Sequence, residues 1–112
     1  MTRYLISFDD GKMIIPEEDM PEVSAASHQV VYEAKDAGVW IFGGGLLSQS
    51  ASIVATDGTV TNGPYPETKA VIGGFSILDV PSREEALAWA GRIAVACRCA
   101  QEVREIGNDP DA

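Results

Sequence analysis

An α+β fold of the split βαβ plan is predicted by three observations on the 112-residue sequence. Its segments alternate as strand, helix, strand, small hairpin, strand, helix, strand. Each helical segment carries one apolar stripe, so both helices belong on the same face of an antiparallel sheet. The strand runs VWIF (from Val39) and FSILDV (from Phe75) supply apolar residues to both sides, which leaves a second sheet face to be covered. A second copy of the chain packed sheet to sheet, a two-fold homodimer, is the economical cover.

The elements follow in order. RYLISF, residues 3–8, alternates Tyr4, Ile6 and Phe8 with Arg3, Leu5 and Ser7, as a half-buried strand does. Pro16 followed by Glu17, Glu18 and Asp19 suits a helix N-terminus, and a helix is expected from there to Ala37. Its broad stripe is Met20, Val23, Ala26, Ser27, Val30, Val31 and Ala34, and Gly38 ends it. VWIF is a buried strand that Gly43-Gly44-Gly45 is expected to bend or terminate.

ASIVAT and Thr59-Val60-Thr61 flank Asp57-Gly58, the strongest hairpin signal in the chain. Residues 70–80 form a longer strand in which Gly73-Gly74 marks a bulge or a close backbone approach. Ser82-Arg83-Glu84-Glu85 is a capping box opening a helix with the stripe Ala86, Trp89, Ala90, Ile93 and Cys97. Residues 100–106 are a last strand. The expected organisation is one domain over 1–107 and a solvated acidic tail over 108–112.

Composition narrows the function. Apolar residues make up 46% and charged residues 22%, ordinary globular values. No segment reaches the roughly 18 apolar residues of a membrane span and no secretory leader is visible, so a soluble, cytoplasmic protein without membrane contact is expected. Seventeen acids against eight Lys and Arg give a net charge of −9, with the basic residues scattered singly; nucleic acid is not an expected partner. Cys97 and Cys99 are too close for usual bridge geometry and too few for a zinc site. Neither a metal nor another cofactor is expected.

The segment TNGPYPETKAVIGGFSILDVPSREEALAWAGRI, from Thr61 to Ile93, closely resembles the DGPF subgroup of the YCII-related family, named for an Asp-Gly-Pro-Phe motif followed by Glu-Thr-Lys. His28, Ala37-Gly38-Val39 and Glu102-Val103-Arg104 extend the resemblance over nearly the whole chain. It implies a ferredoxin-like fold, usually a homodimer of the dimeric α/β barrel kind, with a cleft serving as active site. It leaves the activity undefined: some YCII-type relatives are enzymes using a histidine and an aspartate, and some DGPF proteins are linked to extracytoplasmic-function sigma factors. Here Asn62 stands in the motif's aspartate position and Tyr65 in its phenylalanine position. Asparagine keeps the turn-forming amide but cannot accept a proton, so shaping the turn is the expected role of that position.

His28 is the only histidine, the residue type that takes and gives protons near neutrality. A lone histidine flanking an apolar stripe reads either as a structural residue or as a catalytic one, and the resemblance supports the second. Glu67 and Lys69 read as solvated charges or as ligand contacts. Arg104 either holds a substrate carboxylate or pairs with Glu102. Gly43-Gly44-Gly45 lacks the context of a phosphate loop. Two functions follow. One is a cofactor-independent lyase- or hydrolase-like enzyme, with His28 as general acid or base and Asn62, Tyr65, Glu67, Lys69 and Arg104 orienting a small polar molecule. The other is a non-catalytic ligand-binding or regulatory accessory protein with a protein partner.

Overall fold

The structure, a computed structural model, describes residues 1–47, 51–63 and 71–112. Its elements are β1 (Thr2–Asp9), a 3-10 turn (Glu17–Asp19), α1 (Met20–Asp36), β2 (Trp40–Gly45), β3 (Ser52–Val54), β4 (Val60–Asn62), β5 (Ile72–Val80), α2 (Arg83–Cys97) and β6 (Glu102–Glu105). Four strands form an antiparallel sheet in the order β2-β5-β1-β6, while β3 and β4 pair with each other as a separate hairpin. Helix α1 packs against the β2 side of this sheet and α2 against β5 and β6. The predicted α+β plan is present, element for element.

Alternation sorts the side chains. Tyr4, Ile6, Leu78 and Val80 point to the helix layer and meet Ala34, Ala86 and Ala90 in the core. Ile6, Leu78 and Val80 are fully buried, each contributing roughly 1.5–3 kcal/mol. Their sequence neighbours Leu5, Ile77 and Asp79 therefore face the other side, with Phe42 and Arg104 beside them by register. No element of the chain covers that face among the described residues. The molecule is accordingly thin, 44 × 43 × 19 Å.

Three details refine the expectation. The α-helix starts at Met20, after a 3-10 turn, because Pro21 has no N–H and fits an α-helix only in its first turn. Strand β2 continues through Gly43 and Gly44 and ends only at Gly45, the last of the three, which pairs with Gly74. At Gly43 a side chain has no room, since a Cβ there would lie 2.7 Å from the Phe75 carbonyl oxygen and 2.9 Å from the Trp40 ring. Of the α1 stripe, Val23 and Ala34 are buried, but Met20 and Ala26 are exposed.

Elsewhere the local chemistry holds. Ser82 Oγ accepts from the Glu85 N–H at 3.2 Å, capping α2. Gly38 takes φ 75° after α1, and Gly58 takes φ 89° in the hairpin turn, where the Asp57 carboxylate accepts the Thr59 N–H at 2.9 Å. Gly73 is the extra residue of a bulge opposite Phe8 and Asp9, and the Phe8 ring lies over Gly73 and Gly74. Bulge and close approach are thus both present.

Candidate functional site

His28 projects from the exposed flank of α1 that faces away from α2. The opposite flank is committed to the helix pair: Gln29 Nε2 donates to Glu33 Oε1 at 3.1 Å, and Glu33 is ion-paired with Arg92, whose guanidinium lies 4.3 Å from the centre of the Trp89 ring. Since α1 packs against β2, and β2 is an edge strand, the His28 flank looks outward on that side of the layer. The helical spacing 24, 28, 32 places Ser24 and Tyr32 one turn on either side of the imidazole.

The imidazole is oriented by its own helix. Nδ1 lies 2.7 Å from the Ser24 carbonyl oxygen and 3.4 Å from Ser24 Oγ. A carbonyl has no proton to offer, so Nδ1 is the donor and carries the hydrogen in this geometry. Nε2 is then the atom available for proton transfer. The Tyr32 ring centre is 6.4 Å from that of His28, tilted by 41°. Such an arrangement can accept a proton from, or return one to, a molecule resting on the flank.

The other candidates do not converge on His28 within one chain. Arg104 lies on β6, the opposite edge of the sheet, on the side away from the helices, where it pairs with Glu102 at 3.0 Å. Asn62 is the last residue of β4, paired with Ser52, and the ladder continues in the Gly63 N–H to Ala51 carbonyl bond at 2.8 Å. It occupies the end of a strand without a positive φ, and the Gly63-Pro64 turn it is expected to shape continues into residues outside those described; the hairpin ladder runs one residue further than the turn chemistry of the sequence suggested. Tyr65, Glu67 and Lys69 lie outside the described residues.

Two features were not anticipated. An apolar groove of about 720 Å³ runs between α1 and α2, with Val23, Ala26, Val30, Gly91 and Val95 among its lining and Glu22, Glu33, Arg92 and Arg98 at its edges. Ala26 and Gly91 are small residues at positions facing another helix, which is the signal that marks it. The second is Asp79 Oδ1, buried without a hydrogen-bond donor among the described residues, on the uncovered sheet face. Cys97 and Cys99 are free, and burial pushes both thiols up, away from the reactive thiolate. No cluster of metal-ligating side chains occurs among the described residues, and none of their helices is long and apolar enough to cross a membrane.

A four-stranded antiparallel sheet backed by two helices on one face defines an α+β protein of the ferredoxin-like kind. The chain belongs to the YCII-related family: the YCII-related domain matches residues 3–107. A solved structure with similar architecture is 5-chloro-2-hydroxyhydroquinone dehydrochlorinase (TftG) from Burkholderia phenoliruptrix AC1100, in complex with 2,5-dihydroxybenzoquinone. The two superpose with a TM-score of 0.56 at 16% identity, over 99% of this chain and 98% of the other, a likeness of fold. No curated protein sequence matches this one.

Proposed function

We propose that the protein is a cofactor-independent small-molecule enzyme, lyase- or hydrolase-like, in which His28 is the general acid or base. The observation that carries this is the Nδ1 to Ser24 carbonyl bond, which presents Nε2 on an exposed flank. The segment after Asn62, with Tyr65, Glu67 and Lys69, is proposed to orient the substrate. Arg104 is assigned to the sheet face rather than to the His28 flank. The fold is also that of an enzyme, TftG, which supports the catalytic class without specifying the reaction.

The proposal includes a homodimer joined through the uncovered sheet face. Leu5, Phe75 and Ile77 are half-buried there, Phe42 is 60% exposed, and Asp79 Oδ1 lacks a donor among the described residues. A second copy would cover the apolar side chains and could supply the missing donor.

The test is His28→Ala assayed against a panel of hydroxylated, halogenated and esterified small molecules. Loss of a positioned acid or base costs about 10²–10⁴ in turnover, so a folded variant should fall by that factor on any substrate the wild type converts. Undiminished turnover would remove His28 from the reaction. The alternative, a ligand-binding or regulatory protein, is favoured by the α1/α2 groove, whose apolar floor suits binding rather than proton transfer. It predicts that ligand or partner binding survives His28→Ala and that the wild type turns nothing over.

A further inference from the structure

We propose that His28 and Tyr32 together form a subsite for a planar ring bearing an ionisable hydroxyl, a phenol, with His28 acting from Nε2 as a neutral base and Tyr32 as the residue that determines specificity. This rests on the catalytic reading of His28 and adds to it an atom, a partner residue and a ligand class.

Three observations lead there. First, the tautomer is set by the fold: the 2.7 Å contact requires the proton on Nδ1, whereas imidazole free in water favours the proton on Nε2. The Ser24 carbonyl also accepts from Ser27 Oγ at 3.1 Å, which holds it as a fixed dipole facing the ring. Second, Tyr32 is 55% exposed and makes no contribution to the core, yet its ring stands beside His28 at a distance typical of paired aromatic rings. A flat ligand laid against it would bring a substituent to the imidazole edge.

Third, charge selects among ligands that could give up a proton. A carboxylic acid is already ionised near neutrality and has no proton left to transfer. A phenol arrives neutral. In the transfer its O–H bond breaks, the oxygen keeps the electron pair as phenolate, and the proton forms an Nε2–H bond; nothing else is consumed.

Two measurements test this on the full chain. In the first, a long-range ¹⁵N–¹H correlation spectrum of uniformly ¹⁵N-labelled protein, taken where the ring is neutral, should show Nδ1 protonated and Nε2 bare. A predominance of the Nε2–H form would overturn the proposal, while leaving a general-acid role for His28 open. In the second, 4-nitrophenol is titrated in and ionisation of the bound probe is followed by phenolate absorbance. Tyr32→Ala should weaken binding about tenfold, the value of a lost aromatic contact, and Tyr32→Phe should bind like the wild type. Equal binding by Tyr32→Ala, or benzoate binding as tightly as 4-nitrophenol, would overturn it. Absence of turnover on every substrate, with the tautomer and probe binding as expected, would instead sink the enzyme reading alone.

Discussion

Gly43 shows how much one residue can constrain. Its hydrogen stands where any side chain would press on the Phe75 carbonyl and the Trp40 ring, and backbone oxygen cannot move aside as a flexible side chain can. Gly43→Ala should therefore destabilise the fold by about 1–3 kcal/mol, the usual cost of overpacking, read as a lower urea midpoint. Trp40 fluorescence would report displacement of the ring in the same experiment. At the same scale, His28 was legible as a candidate from the sequence because it is the only histidine. Its tautomer was not legible, since that depends on where the Ser24 carbonyl points, a fact of helix geometry combined with one rotamer.

Among the elements, those with redundant signals were the readable ones. Helix α2 is announced by its Ser82 cap and its stripe, and β1 by strict alternation; both occur where expected. The glycine-rich end of β2 and the start of α1 were legible only in outline, the strand ending at Gly45 and a 3-10 turn opening after Pro16, because one residue type serves opposite purposes. Glycine ends a strand or lets another chain segment approach, and the Trp40 ring that decides between these is three residues away. Proline opens a helix at Pro16 in sequence terms, yet Pro21 sets the actual start. Asn62 closes the β3–β4 ladder one residue beyond the expected return strand, because the register of a hairpin is a property of the pair, not of either strand.

The convergence of His28 with Arg104 could not be judged at all before the strand order placed β6 at the far edge. Gly91 belongs to this scale too. It sits within α2 with nothing within 4 Å of the position its Cβ would take. Gly91→Ala should raise stability by about 0.5–1 kcal/mol through better helix propensity and a less entropic unfolded chain. A loss of stability in thermal or urea unfolding would mean that the groove closes more tightly on α2 than the structure has it.

For the molecule as a whole, dimension and charge are the informative quantities. A folded chain of about 100 residues has a radius of gyration of about 13 Å, whereas this one has 15.7 Å. The excess reflects a sheet backed by helices on one face and a hairpin paired apart from it. Phe42→Glu should convert the proposed dimer to a monomer in light scattering; wild-type protein that is already monomeric would exclude that interface. Titration acts at this scale as well. Burial pushes the Tyr4 phenol and the Cys97 and Cys99 thiols up, with the Glu105 carboxylate adding to the effect on Tyr4. Each group is therefore favoured in its protonated form by folding. That contribution is complete below the ordinary thiol and phenol values and is lost as pH rises through the raised ones, so the urea midpoint should fall from about pH 8.5 upward, more steeply past about pH 10. A midpoint flat to pH 11 would show that these groups are not shielded.

The β3–β4 hairpin has a kinetic consequence of its own. Two short strands without a third are marginal in water, and among the described residues these exchange ladder hydrogen bonds only with each other. Their amides should open and reclose as a small cooperative unit while the four-stranded sheet stays shut, placing them at the low end of the protein's spread of opening free energies. Asn62, the residue joined to the segment proposed to orient the substrate, lies inside that unit. Whatever slows its solvent exchange, whether bound molecule or neighbouring subunit, would leave its mark there before it did anywhere in the core.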